Sequence, residues 1–264
     1  MIGLSLCGAG LLAPGLPDWA AARRVLAGEE TYRYAPAAEP RPEALPPNER
    51  RRGARTVRWA IAAAQEALRD SGIAAADAAS VFASSSGDGE TLTQICEALA
   101  QPAREVSPTR FHNSVHNAPS GYWSIASGSR RAAVTLCAYD ASFGAALLEA
   151  AALVHGGESA VLLVVYDLPY PPPLLAVRPI REPLALALLL CAETRAPALA
   201  RWRVALAPES SSIPATIAPM PIPELASNPA AHALPLLAAV ARNQAIEMHV
   251  SLPNGGGLTI ETRP

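Results

Sequence analysis

The sequence has little that announces a ligand. Aromatic residues make up only 5% of its 264 positions, while 50% are hydrophobic, mostly Ala, Leu and Val. That imbalance suits a tightly layered core better than a surface on which rings stack. Neither charge is in excess: 21 Lys plus Arg meet 23 Asp plus Glu, a net charge of −2. Nothing electrostatic therefore points to nucleic acid or to an anionic membrane. The four cysteines, Cys7, Cys96, Cys137 and Cys191, are widely scattered, with no C-x-x-C pair and no histidine at ligand spacing. A disulfide framework or zinc site is disfavoured and reduced thiols are expected. The amino terminus lacks the positive region and cleavage site of a signal peptide. The purest apolar run, residues 184–191, is strand length, well short of the roughly 20 residues that span a bilayer. These absences predict a soluble cytoplasmic protein with no cofactor, no metal and no membrane span.

What is present reads as alternating strands and helices. Residues 2–9 predict a buried strand, and Asp18 can cap a helix carrying Trp19, Ala22, Val25 and Leu26. Val57, Ile61, Ala64 and Leu68 recur at helical spacing, ending near Asp70-Ser71-Gly72. Residues 81–84, 132–137, 159–166, 184–191 and 201–206 predict further strands, and the aliphatic continuity of 159–166 marks a sheet covered on both faces. A helix over 91–100 would carry Leu92, Ile95, Cys96 and Leu99 on one face. Residues 143–154 and 235–242 predict helices, and 248–252 with 258–262 flank Pro253-Asn254-Gly255-Gly256-Gly257 as a hairpin. Residues 34–47 read as an extended surface loop, and prolines recur through 207–228 as in a linker. The chain thus divides into 1–206, a linker 207–228, and a helix plus hairpin over 229–264 that complete the domain. A basic cluster, Arg50, Arg51, Arg52, Arg55 and Arg58, is either a solvated helix start or a dock for an acidic partner.

Two stretches bear on chemistry. Gly8-Ala9-Gly10-Leu11-Leu12-Ala13 formally fits a dinucleotide fingerprint, but Pro14 and Pro17 break the helix whose amino terminus should hold the pyrophosphate. In the stretch from Ala133 through Cys137 and Asp140 to Gly144, a strand ends, the chain turns through small residues and an apolar helix begins. Helix amino termini favour a thiolate, which makes Cys137 a candidate nucleophile. Cys137 can equally be a small hydrophobe ending a core strand, and Asp140 the N-cap of a helix starting at Ala141.

The opening residues 2–10, the helix through Ala64-Gln65-Glu66-Ala67-Leu68-Arg69-Asp70-Ser71-Gly72, the segment His116-Asn117-Ala118-Pro119-Ser120-Gly121, the strand Val134-Thr135-Leu136-Cys137 and the turn Gly157-Glu158-Ser159-Ala160 together resemble, in order, the amino-terminal half of β-ketoacyl synthases. The resemblance implies an α/β, thiolase-like layered fold, a mixed sheet between helices, truncated relative to full ketosynthases. Counting forward from the strand puts Cys137 at the nucleophile position. Counting back from Gly157 puts Asp140 there. The two histidines of the family's second half have no match: His232 sits in Ala-His-Ala-Leu and His249 in the strand predicted over 248–252. One oxyanion-stabilising donor is typically worth about 3 kcal/mol of barrier, so a chain lacking both is not expected to run the condensation.

Such a chain resembles the short chain-length factors that pair with full-length ketosynthases, as in aryl-polyene pathways. The resemblance implies a heterodimer joined near the edge strand before the nucleophile, serving acyl carrier protein-bound chains. Phe111, His112, His116, Asn117, Tyr122 and Trp123 would then face the partner's acyl tunnel, where Phe111, Tyr122 or Trp123 could form its floor; alternatively these aromatics pack the core. The rival readings are an acyl-transfer enzyme using Cys137 with His116 as base, and a stand-alone acyl-binding protein.

Overall fold

A computed structural model describes residues 1–207 and 219–264. In chain order the elements are β1 (Ile2–Leu12), α1 (Trp19–Ala27), α2 (Pro47–Arg52), α3 (Arg55–Leu68), β2 (Ala79–Ser84), α4 (Gly89–Ala100), α5 (Pro108–Asn113), α6 (Ala118–Ser127), β3 (Ala133–Cys137), α7 (Ser142–His155), β4 (Ala160–Asp167), α8 (Leu174–Val177), β5 (Leu184–Ala192), β6 (Ala200–Leu206), α9 (Leu234–Ala241), β7 (Ile246–Ser251) and β8 (Gly257–Arg263). The strands form one mixed sheet ordered β3-β2-β4-β5-β1-β6-β8-β7. β2 is parallel to both β3 and β4, while β5 runs antiparallel to β4 and β1.

The period-two alternation of an extended chain sorts these strands' side chains between two helical layers. Val161, Leu163 and Val165 of β4 join the core beneath α7, α9 and α1, while Leu162, Val164 and Tyr166 join the core beneath α3 and α6. Both faces of β4 are thus sealed, which is why its sequence is aliphatic throughout rather than alternating.

Gly8 and Gly10 have a packing role. A Cβ on Gly8 would stand 2.0 Å from the Ala67 carbonyl oxygen, and one on Gly10 would stand 2.3 Å from that of Ala63. The glycines let the backbone of α3 rest on β1. Glu66 of α3 then accepts a 3.0 Å hydrogen bond from the Leu11 amide and another from the Trp19 amide. Asp18 caps α1, accepting from the Ala21 amide at 2.7 Å.

Of the proline-rich stretch 207–228, residues 208–218 lie outside the described residues. Further on, Ile222, Leu225 and Asn228 are buried, and the Asn228 side-chain amide donates to the carbonyls of Asp167 and Glu182, both at 2.9 Å. The hairpin of β7 and β8 joins the sheet through β6, whose other neighbour is β1. The basic cluster is largely committed to its own chain: Arg50 donates to the Leu45 carbonyl, Arg58 to that of Gly53, and Arg55 pairs with Glu39. Among the described residues no helix is long and apolar enough to cross a membrane.

The apolar stripe of α4 points outward, leaving Leu92 50% and Leu99 49% exposed. Helical spacing shows that these residues share a side but not what that side meets.

Candidate functional site: the turn between β3 and α7

The three parallel strands β2, β3 and β4 end on the same side of the sheet, and the candidate site lies there. β3 closes at Cys137, paired with Ser84, the last residue of β2. The chain then turns through Ala138, Tyr139, Asp140 and Ala141 into α7, with Tyr139 in the left-handed region at φ 53°. The Ser142 hydroxyl holds the turn: it accepts from the Ala138 amide at 3.0 Å and lies 2.8 Å from the Tyr139 carbonyl and 3.0 Å from that of Ser84. Gly144 brings the first turn of α7 against β7, where a Cβ would stand 2.3 Å from the Ser251 carbonyl oxygen.

Asp140 does not cap α7. The residue before the helix is Ala141 and no side chain caps it. The Asp140 carboxylate instead pairs with Arg178 at 2.5 Å, and the Arg178 guanidinium stacks 3.6 Å above the Tyr139 ring. The arginine, which follows α8, binds the carboxylate through a charge-assisted pair in place of a local cap. The His232 Nδ1–H donates to the Asp140 backbone carbonyl at 3.0 Å. Asp140, His232, His249, Met220, Met248 and Val250 are among the residues lining a cavity of about 190 Å³ at the helix start.

His232 and His249 were set aside on their sequence contexts, yet folding brings both to the turn. His249 is anchored by Thr259, its Nδ1 standing 3.1 Å from the hydroxyl. Neither local context signals this, because the approach depends on strand pairings spanning more than a hundred residues.

Behind the turn lies a polar group that sequence reading missed. Asp167, the last residue of β4, is fully buried, and its Oδ1 accepts from the Ser84 hydroxyl at 2.9 Å, the Ser85 amide at 2.9 Å and the Ser85 hydroxyl at 2.8 Å. Its Oδ2 has no partner among the described residues. Burial pushes its pKa up to about 6 against the pull of those hydrogen bonds and of Arg178. In the sequence Ser84 was legible only as the end of a strand and Ser86 as the start of a loop, with nothing to mark a buried carboxylate between them.

Cys137 is exposed at the end of the edge strand. Burial of its sulfur, and secondarily the Asp167 charge, raises its pKa. Among the described residues no hydrogen bond joins it to a histidine. His116 is exposed beside Gly87, where a Cβ would lie 3.7 Å from its own. His112 meets Tyr122 edge-on, with ring centroids 5.8 Å apart. Tyr122 and Trp123 are each only 2% exposed and pack into the core beneath α3, whereas Phe111 is 67% exposed. Asn117 is exposed at the start of α6, where its carbonyl accepts from the Ser120 hydroxyl at 2.9 Å. The six residues grouped by sequence therefore separate into two buried aromatics and four outward-facing groups. Ser120 also meets Thr135 at 2.8 Å, fixing α6 against β3.

β3 is an edge strand whose outer side lacks a neighbour among the described strands. Exposed beside it are Ile125 on α6, the helix packed against β3, and Tyr139 in the turn that follows; Leu92 and Leu99 on α4, Phe111 on α5 and Val115 are exposed as well.

Residues 21–251 match the family described as beta-ketoacyl synthase, N-terminal domain. No curated protein matches the sequence. Among solved structures, a chain of the complex of the ketosynthase ApeO with its chain length factor ApeC from Xenorhabdus doucetiae is 23% identical, covering 99% of this chain and 100% of that one, with a TM-score of 0.72. A β-ketoacyl synthase from Burkholderia phymatum is 13% identical, covering 100% and 99% at a TM-score of 0.70. The ishigamide ketosynthase/chain length factor is 15% identical, covering 100% and 99% at 0.74. These structures share the thiolase-like layered arrangement, a mixed sheet between helices. With residues 21–251 matched, the chain belongs to the β-ketoacyl synthase amino-terminal domain family.

Proposed function

We propose that this chain is a chain-length-factor subunit: it pairs with a full-length ketosynthase of fatty-acid or polyketide type, in aryl-polyene synthesis, and shapes that partner's acyl tunnel without catalysing condensation itself. The observation that carries this reading is the open edge of β3, beside which Ile125 of the packed helix α6 and Tyr139 of the following turn are exposed, in a chain whose helix-start turn presents Asp140 rather than a nucleophile. An uncovered strand edge with an apolar border is a surface that proteins normally cover. Asp140 is the elbow residue in this reading. Its carboxylate, neutralised by Arg178, has no free thiol chemistry to offer. The family and the likeness to chains from ketosynthase–chain length factor structures support the assignment.

The tunnel-facing groups are then Phe111, His112, His116 and Asn117, which point outward, while Tyr122 and Trp123 hold α6 in place from within. Phe111 is the side chain that limits product length, on chains delivered by an acyl carrier protein. The rival, Cys137 as a working nucleophile, starts from a thiol whose pKa is raised by partial desolvation of its sulfur and by the Asp167 charge, the opposite of activation.

Co-expression with a ketosynthase encoded beside this chain, followed by size-exclusion chromatography with mass detection, tests the reading. A stoichiometric heterodimer whose condensation activity vanishes when this chain is omitted is expected. A monomer or homodimer indifferent to the ketosynthase overturns it. Within a working pair, Phe111→Ala lengthens the product while leaving the heterodimer intact.

A further inference from the structure

The basic cluster keeps most of its charge after folding. Arg41, Arg50, Arg51 and Arg58 line one cleft of about 620 Å³. Their hydrogen bonds go mainly to uncharged acceptors: Arg50 to the Leu45 carbonyl at 2.9 Å, Arg58 to the Gly53 carbonyl at 3.0 Å, and Arg51 to the Asn48 side-chain oxygen. Such bonds fix a guanidinium in place without cancelling it. The Arg50 Nε is buried and has no partner among the described residues. Glu39 is the acid on the cleft wall. Its carboxylate is already shared by Arg55 at 2.9 Å, Arg58 at 3.6 Å and the Trp59 indole at 3.4 Å. Among the described residues the ion pairs of this region belong to Arg52, Arg55 and Arg58, and Arg41, Arg50 and Arg51 have none. In a chain of net charge −2 this concentration of positive charge is local.

An apolar cavity adjoins the cleft. Glu39 and Pro40 belong to the cleft wall and also to the wall of a second space of about 440 Å³. That space is lined by Leu12, Ala13 and Leu16 from β1 and the turn after it, by Ala35 and Ala38 of the extended loop, and by Trp59 of α3. Both volumes fall in the range of small-molecule pockets, about 300–1,000 Å³, whereas the 190 Å³ cavity at the start of α7 falls below it.

We propose that the two spaces form one binding site for a small amphipathic anion, an alkyl phosphate whose head lies among Arg41, Arg50, Arg51 and Arg58 and whose chain lies against Leu16 and Trp59. Arginine forks match phosphate oxygens two at a time. Guanidiniums already held by carbonyls lose little freedom when the anion arrives. The cleft alone would accept any phosphate, and the apolar space any short hydrocarbon; their adjacency selects a molecule with both parts. The ligand is free in solution rather than part of a bilayer, because Ala13, Leu16 and Trp59 are buried and their space receives a single chain. The site uses no residue of the β3 edge or the α7 turn, so it stands apart from pairing with a ketosynthase.

Isothermal titration of the full chain with inorganic phosphate and with butyl, hexyl and octyl phosphate, below micelle-forming concentrations, tests the site. Each methylene leaving water is worth about 0.8 kcal/mol, or about fourfold in affinity. Affinity should therefore climb along the series, by about tenfold for each added pair of methylenes. Octyl glucoside, the same chain on a neutral head, should bind far more weakly. Arg41→Gln combined with Arg51→Gln, both at exposed positions, should weaken every phosphate by about tenfold or more, as loss of hydrogen bonds to a charged group does. Ala38→Phe, which fills the apolar space, should flatten the dependence on chain length while sparing inorganic phosphate. Circular dichroism identifies any variant that unfolds, and the other then carries the comparison. Octyl phosphate binding no tighter than inorganic phosphate, octyl glucoside binding as tightly as octyl phosphate, or affinities unmoved by the arginine substitutions overturns the proposal. Co-sedimentation with phosphatidic acid vesicles without any binding of octyl phosphate overturns it as well, and assigns the cleft to a membrane surface.

Discussion

β3 and β4 flank the same strand, both parallel to β2, and meet opposite fates. All eight residues of β4 are buried, whereas the five of β3 are exposed or half-buried. On one side of β2 the sheet completes a core with its own strands. On the other, among the described residues, it stops, with Ile125 and Tyr139 exposed beside the edge. The hydrophobic content of the chain thus divides into a part that folds it and a part kept for a surface.

The sharpest way to break that contrast is a matched pair of truncations. Leu163→Ala in β4 should cost about 2–5 kcal/mol in urea unfolding of the isolated chain, and Leu136→Ala in β3 about 1 kcal/mol. Equal losses would mean that the edge is as integral to the core as the centre.

The buried acid at the end of β4 comes next. A carboxyl whose folded pKa is raised to about 6, above its ordinary 3.8, favours the fold below pH 4, and that contribution is lost as pH rises through 6. Two units at 1.36 kcal/mol each make this about 3 kcal/mol. Asp167→Asn should therefore gain stability relative to the wild type by that order between pH 4 and 7, read from paired unfolding curves. A constant difference across that range would show that Asp167 is not protonated in the fold.

Gly8→Ala should destabilise by about 1–3 kcal/mol, the usual range for overpacking, because the new methyl meets the Ala67 backbone rather than a movable side chain. A thermal melt that does not shift would mean that α3 can back away from β1.

The smallest effect belongs to the rim. Ile125→Ser should change unfolding by no more than about 0.5 kcal/mol while weakening heterodimer formation with the ketosynthase in a pull-down titration. A large loss of stability would move Ile125 to the folding half of the comparison, and undiminished pairing would remove it from the docking surface.

These same residues show what a sequence can disclose. β4 and β5 are readable because burial on both faces demands an unbroken aliphatic run. The small-residue turn from Ala138 to Ala141 is readable because an apolar strand and an apolar helix frame it. The glycines of β1 signal close approach, but only the structure shows that a helix backbone approaches and not a phosphate. Leu92 and Leu99 reveal a shared face whose direction no periodicity records. Asp140 looked like a cap because capping is local, and its partner Arg178 is supplied by a loop 38 residues away. The gathering of His232 and His249 at the turn follows from the chain's long-range pairings, which leave no mark on their immediate neighbours.

The position of β1 has a consequence for synthesis. β1 is an interior strand of the sheet, pairing with β5 and β6, whose residues come after position 183. At roughly 5–20 residues per second on the ribosome, its apolar face waits about ten to forty seconds for the neighbours that will cover it. Such non-local pairing folds slowly, so a nascent chain has reason to need a holding chaperone at residues 2–12, long before it meets any partner.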